Sequence, residues 1–394
     1  MFDVNLIRKD FPVLENVIYL DNGATTQTPK PAVSSICDFF YNFGANYGRG
    51  AHSLSVKATT AYEESRDIVS SFLNSEFENT VFTKNTTDAI NIVSNGLEFE
   101  EGDHVITTFA EHHSNMIPWL NLKNKGVSVS NIPVDNWGYI SPKEVKAEIT
   151  DKTKLIAIGH ISNVFGSIQN IEKIISIAHK NNVLVLVDGA QSAGHIPVNL
   201  KLLDCDFFAT AGHKGLLGPQ GTGILYMKNP ELITPSVFGG GMTSESDGIS
   251  FSIKKTPEKY EAGTPNIPGV IGLGAAVEYI EKIGIENIEK HERKLTKKLL
   301  KRFDEIENLK YYGPEKSKER GSLFSFNISG KDPTTVALML DKYYKICIRS
   351  GYHCSMPGQK QLGISGSARA SFALYNTEEE VDMLADALSE ISKE

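Results

Sequence analysis

Val183-Leu184-Val185-Leu186-Val187 runs five apolar residues without a break and ends on Asp188-Gly189-Ala190-Gln191. An unalternating apolar run of that length reads as a strand buried on both faces, the habit of parallel sheets. Ile171–His179 just before it carries apolar residues at helical spacing. The same alternation extends upstream. Residues 80–83 read as a strand and 86–97 as a helix, with Ile90, Val93 and Leu97 on one face. Residues 104–109 are strand-like, 113–124 helical, 127–134 strand-like and 155–158 a buried strand. From about residue 55 to 230 the pattern predicts an α/β fold, a mostly parallel sheet between two layers of helices.

Downstream the texture changes. Gly and Pro cluster at 215–223 and Gly again at 239–241, and 242–260 is a polar excursion without a clear period. After Pro265-Asn266-Ile267-Pro268, helices are expected at 269–283 and 287–306. Strands follow around 322–328 and 346–349, and a last helix begins near Thr377. The expected organisation is a large domain over residues 16–265, plus a smaller α+β domain built from residues 1–15 and 266–394. There is no internal repeat and no low-complexity tract.

The 394 residues are 40% hydrophobic and 22% charged, with a net charge of -8. That is globular composition, and an acidic chain has no electrostatic pull on nucleic acid or anionic lipid. The basic run Lys297, Lys298, Lys301 and Arg302 reads as a solvated helix face. No apolar run approaches a membrane span. The start, Met1-Phe2-Asp3-Val4-Asn5, lacks the pattern of a secretory leader. A cytoplasmic protein without nucleic-acid or membrane partners is expected. Four cysteines make no disulfide framework in a chain this long. Cys37, Cys205 and Cys347 sit among apolar residues and read as buried thiols.

Five short strings carry chemistry. Asp188 closes the apolar strand, and ligands of open α/β sheets sit beyond the carboxyl ends of strands. Its carboxylate suits a cationic ring nitrogen, and equally a helix cap. Twenty-six positions later, Gly212-His213-Lys214-Gly215 follows a second apolar run. Alone, such a lysine reads as an exposed loop residue. Paired with Asp188 it supplies the second group that pyridoxal phosphate requires, an amine for the aldehyde. Asn85-Thr86-Thr87 stands at a strand-to-helix junction, a phosphate cradle or a plain cap. Glu111-His112-His113 follows another strand. Adjacent histidines do not share a helix face, so no metal site is expected, and a ring stacked on a cofactor fits better. Cys354 lies in the polar loop Arg349-Ser350-Gly351-Tyr352-His353-Cys354-Ser355-Met356-Pro357, where neighbouring cations favour a thiolate. Arg369, among small residues, suits a substrate carboxylate or a buried structural role.

Taken in order, these strings resemble the cysteine desulfurases, in particular the group II (SufS/CsdA-like) branch of the class V aminotransferase family of fold-type I pyridoxal-phosphate enzymes. Further matching segments are Tyr19-Leu20-Asp21, Ala24-Thr25-Thr26-Gln27, Ser162-Asn163-Val164, Phe238-Gly239-Gly240-Gly241, Glu261-Ala262-Gly263-Thr264-Pro265-Asn266 and Tyr375-Asn376-Thr377. The resemblance implies that Lys214 holds pyridoxal 5'-phosphate as a Schiff base and moves protons at the substrate Cα. It implies that Asp188 pairs with the ring nitrogen, Gln191 bonds the phenolic oxygen, and His112 stacks on the ring and serves in the acid–base steps of catalysis. Thr86, Thr87 and His213 would hold the phosphate, joined by Thr264 reaching from the partner of a homodimer. Asn163 and Arg369 would bind L-cysteine, and Cys354 would take its sulfur as a persulfide, leaving L-alanine. A SufE-like acceptor and iron–sulfur cluster assembly are the implied destination.

Departures from that pattern are Ala211, where relatives carry a hydroxyl, Tyr352 for a histidine, and Asn22-Gly23 for a Ser/Ala pair. Two alternatives stay open on this ground alone: a selenocysteine lyase on the same scaffold, and a catalytically silent scaffold protein.

Overall fold

The structure, a computed structural model, describes residues 2–393. Met1 and Glu394, the outermost residues of the expected small domain, lie outside the described residues. Seven strands build the central sheet: β1 Thr80–Thr83, β2 His104–Thr108, β3 Ser128–Ile132, β4 Thr153–Gly159, β5 Leu184–Asp188, β6 Phe207–Ala211 and β7 Gly223–Met227. Their order is β1-β7-β6-β5-β4-β2-β3. β7 alone runs antiparallel to its neighbours β1 and β6, and the remaining pairings are parallel. Only eleven residues separate β6 from β7. That is too few for the crossover a parallel return needs, so the chain turns back.

The founding strand explains the layers. Val185 and Val187 enter one buried core and Leu186 the other, because successive side chains point to opposite faces. The first core receives the helix α4 Ile171–His179 through Ile171, Ile174 and Ile175; the second receives α3 Thr86–Gly96 through Ile90 and Val93. Two further helices, α1 Lys30–Asp38 and α2 Ser53–Phe72, pack on α5 Ile267–Ile283. The buried face of α2 is Ser55, Ala58, Tyr62, Ser65, Arg66 and Val69. A Cβ added at Gly274 would lie 2.9 Å from the Ser65 backbone, so α2 and α5 touch through small residues.

A second sheet, β8 Leu309–Tyr312, β9 Leu323–Ile328, β10 Arg349–Gly351 and β11 Ser367–Ser371, is antiparallel in the order β8-β9-β11-β10. It is covered by α6 Ile285–Phe303, α7 Pro333–Tyr344 and α8 Glu378–Lys393. The strand expected at 346–349 splits in two. Ile346–Cys347 pairs in parallel with Ile18–Tyr19, and the chain then rejoins the second sheet at Arg349.

Two buried cores, one under the central sheet and one under the second sheet, bear on the domain division. α5 buries Val270, Leu273, Val277 and Ile280 in the large-domain core, and the small-domain core starts at Leu295 inside α6. The N-terminal Ile7, Phe11 and Leu14 also enter the large-domain core, whereas Ile18 and Leu20 enter the small one. We propose a domain division within α6, with the N-terminal segment bridging both. The polar excursion at 242–260 holds an exposed hairpin, Thr243–Ser246 with Phe251–Ile253. Cys37 is exposed on α1 and Cys347 half-buried, so only Cys205 of the three is the expected buried thiol. The α6 cations are held at the surface by α8, through Lys298 to Asp382 and Arg302 to Asp382 and Asp386. Among the described residues, no helix is long and apolar enough to cross a membrane.

Candidate active site

β5 ends on Asp188, β6 leads into Gly212-His213-Lys214, and β2 leads into Glu111-His112. The N-terminus of α3 opens at the end of β1. All four sit at one edge of the sheet and face a cavity of about 290 Å³. Lys214, Asp188, Gln191, His112, Thr86, Thr87, His213, Asn163, Arg369 and Cys354 line it together. Of the residues singled out from the sequence, Thr264 alone is apart. It is exposed and borders a second cavity of about 370 Å³ beside Lys84, Tyr260 and Glu261.

Burial sets the electrostatics. Lys214 is pushed down to about 8, chiefly by desolvation and further by Arg369 and Arg349, while Asp188 opposes the fall. Burial raises the Asp188 carboxyl, against the pull of the Ala190 N–H and Lys214. Asp188 Oδ1 accepts that Ala190 N–H at 2.9 Å, so one oxygen does the work of a cap and the other stays free of protein donors. His112 is pushed down to about 3 by burial and nearby cations. Its geometry agrees: Nδ1 accepts the Ser114 N–H at 3.1 Å, which places the single proton of the neutral ring on Nε2. Ser114 Oγ lies 2.9 Å from the same nitrogen and 2.6 Å from Thr87 Oγ1, joining the ring to the α3 turn.

That turn has the makings of an anion site. Asn85 caps the Asp88 N–H at 2.9 Å, and first-turn N–H groups have no intrahelical partner. Thr86 Oγ1 and His213 Nδ1 are buried polar atoms without a hydrogen-bond partner. Ala211 lines the cavity and adds no donor there.

The opposite wall is built around Arg369 of β11 and the loop bearing His353 and Cys354. Arg369 NH1 donates to the Asn163 carbonyl at 2.9 Å, and its buried Nε has no partner. Asn163 Nδ2 in turn donates to the His353 carbonyl at 2.7 Å, and Gln191 Nε2 to the Gly23 carbonyl at 2.8 Å. Each amide spends one N–H on the backbone, leaving its second N–H and its oxygen. His353 and Cys354 have φ of +51° and +55°, consecutive left-handed residues that are not glycine. Each costs about 1–3 kcal/mol and persists only where the surroundings impose it. Here the His113 N–H donates to the Cys354 carbonyl at 2.7 Å, and His353 Nε2 sits 3.1 Å from Ser367 Oγ. The Cys354 side chain is exposed at the cavity mouth.

Two groups escaped the sequence reading. Glu111 was quoted only for its neighbour. It is buried, accepts from Thr108 Oγ1 at 2.7 Å and Asn115 Nδ2 at 2.6 Å, and is raised to about 7, mainly by burial. Arg66 is fully buried and pairs with Glu261 at 2.7 Å, whose carboxylate also takes the Phe82 N–H. That pair pins the segment carrying Thr264 to β1. A charged residue on the α2 face shared with Tyr62 and Val69 was the available signal.

A lysine, an aspartate and a helix N-terminus around one cavity of an α/β sheet define a class. Residues 18–384 match the aminotransferase class-V model, and the chain belongs to that family. Its relatives narrow the class. A probable cysteine desulfurase of Pyrococcus abyssi is 43% identical over 392 residues, 98% of this chain and 97% of the relative. The apo cysteine desulfurase of Thermococcus onnurineus NA1 superposes with a TM-score of 0.96 at 42% identity, covering 99% and 98% of the two chains. The Escherichia coli cysteine desulfurase CsdA, in an S-sulfonic acid form, does so at 0.92 and 32%, covering 100% and 99%. Within the class-V family this chain stands among the cysteine desulfurases, with the α/β fold-type I architecture read from the sequence.

Proposed function

We propose that this chain is a pyridoxal-phosphate-dependent cysteine desulfurase that takes the sulfur of L-cysteine onto Cys354 and releases L-alanine. One observation carries the reading: Lys214, Asp188, His112, Arg369 and Cys354 converge on a single cavity. The residues present fit the cofactor. Thr86 Oγ1 and His213 Nδ1 are orphaned donors or acceptors beside a helix N-terminus, suited to a phosphate. Asp188 keeps one oxygen for a ring nitrogen, Gln191 keeps a second N–H for the phenolic oxygen, and His112 presents a neutral ring. Bound through Lys214, pyridoxal phosphate supplies the electron withdrawal that loosens the Cα–H and C–S bonds of the amino acid.

The chain does the rest. Arg369, with Asn163 beside it, fixes the substrate carboxylate and so aims the Cα–H at Lys214. The depressed Lys214 amine takes that proton and returns it. Asp188 offers its free oxygen to the ring nitrogen, whose positive charge would favour the carboxylate against the burial that raises it. The Cys354 thiolate attacks the substrate sulfur, so that an S–S bond forms as the C–S bond breaks. The electron pair goes to carbon, and a proton completes L-alanine. The loop bearing Cys354 is short and braced at two carbonyls, so the persulfide travels little. A dedicated SufE-like acceptor coming to the exposed Cys354, with iron–sulfur cluster assembly as the destination, fits that geometry. Thr264, exposed and away from its own cavity, supports a homodimer in which it reaches the partner's phosphate site. Four free cysteines suit a cytoplasmic location.

Incubation with L-cysteine and a reductant tests the reading. Alanine and sulfide are expected in equal amounts. Alanine without sulfide, or neither product, overturns it.

A further inference from the structure

Arg349 and Arg369 are direct cross-strand partners between β10 and β11. Like charges placed opposite each other in an antiparallel pair are destabilising, and here one of them, Arg369, is buried. Both line the cavity. A carboxylate stands between them: Asp21 Oδ1 is 3.4 Å from Arg369 NH2, and Asp21 Oδ2 is 4.0 Å from Arg349 NH1. The Asp21 backbone is fixed independently of that charge. It bridges to Ser371 on the neighbouring segment, and its carbonyl accepts the Ala24 N–H at 3.0 Å. Arg369 is likewise held by the Asn163 carbonyl, and a Cβ on Gly23 would come within 3.2 Å of its guanidinium. Arg369 does not depend on Asp21 for its place, and neither arginine's contact to Asp21 is tight.

We propose that Asp21 is a positioning residue acting through the arginines: a built-in counter-ion that sets how strongly the cavity takes a carboxylate. With two cations and one anion, the cluster keeps a net single positive charge. That matches the single carboxylate of an amino acid and leaves the second charge of a dianion unneutralised. The loose contacts leave room for the incoming carboxylate to share the guanidinium edges without expelling Asp21. The same balance limits how long the product carboxylate is retained. This rests on Arg369 being the substrate-carboxylate site, and it adds the residue that tunes it.

The test compares the wild-type holoenzyme with Asp21→Asn, which keeps the shape and removes the charge. Sulfate binding is followed by calorimetry, and L-alanine binding by the visible absorption of the bound cofactor. Loss of one opposing charge at this range should tighten sulfate about tenfold and L-alanine by a smaller factor. KM for L-cysteine should fall more than kcat does, and Asp21→Glu should restore wild-type sulfate affinity. Sulfate held no more tightly by Asp21→Asn than by wild type, including no binding by either, overturns the assignment. If Asp21 merely braced the fold, the variant would bind both anions more weakly, which overturns it as well. Failure of the carboxylate-site reading is distinguishable: Arg369→Lys would then leave KM for L-cysteine unchanged in a wild-type Asp21 background.

Discussion

The Asn163 side-chain amide donates to the His353 carbonyl at 2.7 Å, tying the loop after β4 to the residue that precedes Cys354. The bond restrains a left-handed residue next to Cys354. Asn163→Ala removes it and leaves a buried carbonyl unpaired, a loss of about 1–3 kcal/mol. The Cys354 loop should loosen, and kcat with L-cysteine should fall about tenfold or more. Cofactor content, read from the visible band, should stay near the wild-type level. A variant that lost the cofactor instead would place Asn163 in the ring site.

Lys214 sets a pH dependence for loading the cofactor-free protein. An aldehyde is attacked by a neutral amine, and burial lowers this one to about 8. Because the folded value is depressed, the neutral form gains as pH rises through 8, well before an ordinary lysine would titrate. The reactive fraction should climb from about a tenth at pH 7 to about nine-tenths at pH 9. Stopped-flow measurement of reconstitution with pyridoxal phosphate should show a midpoint near 8. A rate still rising at pH 10 would mean that Lys214 is solvated.

The parallel core of the fold was legible because its strands are apolar on both faces. β5 and α4 could be placed from 171–187 alone. α2 could not, since its buried face mixes Tyr62 and Val69 with Ser55, Ala58, Ser65, Arg66 and Ser70. Small polar residues serve there because α5 approaches too closely for larger ones, a tertiary fact invisible to a hydrophobic period. β7 was missed for a related reason: five buried residues after a glycine-rich turn carry no period to distinguish strand from loop. The site residues were legible as strings, since Asp188 and Lys214 follow apolar strands. What those strings could not show was partnership. Asp21 opposite two arginines, and Asn163 against His353, join residues 190 or more positions apart.

Arg66 gives the fold a single point of failure. Its guanidinium is fully buried and bonded to Glu261, to Glu63 and to the Thr80 carbonyl at 2.8 Å. Removing Glu261 leaves the buried guanidinium with Glu63 as its remaining carboxylate, at a cost of up to about 3–5 kcal/mol. Glu261→Ala should lower the denaturant midpoint accordingly, and it should free the segment carrying Thr264. Dimer dissociation at lower dilution than wild type, followed by light scattering, checks the second effect. Replacing both partners, Arg66→Met with Glu261→Ala, should recover much of the stability but not the dimer.

Cys354→Ala separates L-cysteine from the alternative substrate, L-selenocysteine. If the Cys354 thiolate takes the sulfur of L-cysteine as proposed, the variant should lose about a hundredfold or more in kcat/KM, the size of a lost nucleophile. With L-selenocysteine the C–Se bond is weaker and selenide leaves readily, so turnover should survive within about tenfold. Folding should be indifferent, because Cys354 is exposed and alanine meets the same left-handed backbone. The thermal midpoint and the cofactor band serve as controls. Turnover of L-cysteine retained in the variant would remove Cys354 from the mechanism. Loss of both activities with the cofactor still bound would make the loop itself, and not its thiol, the requirement.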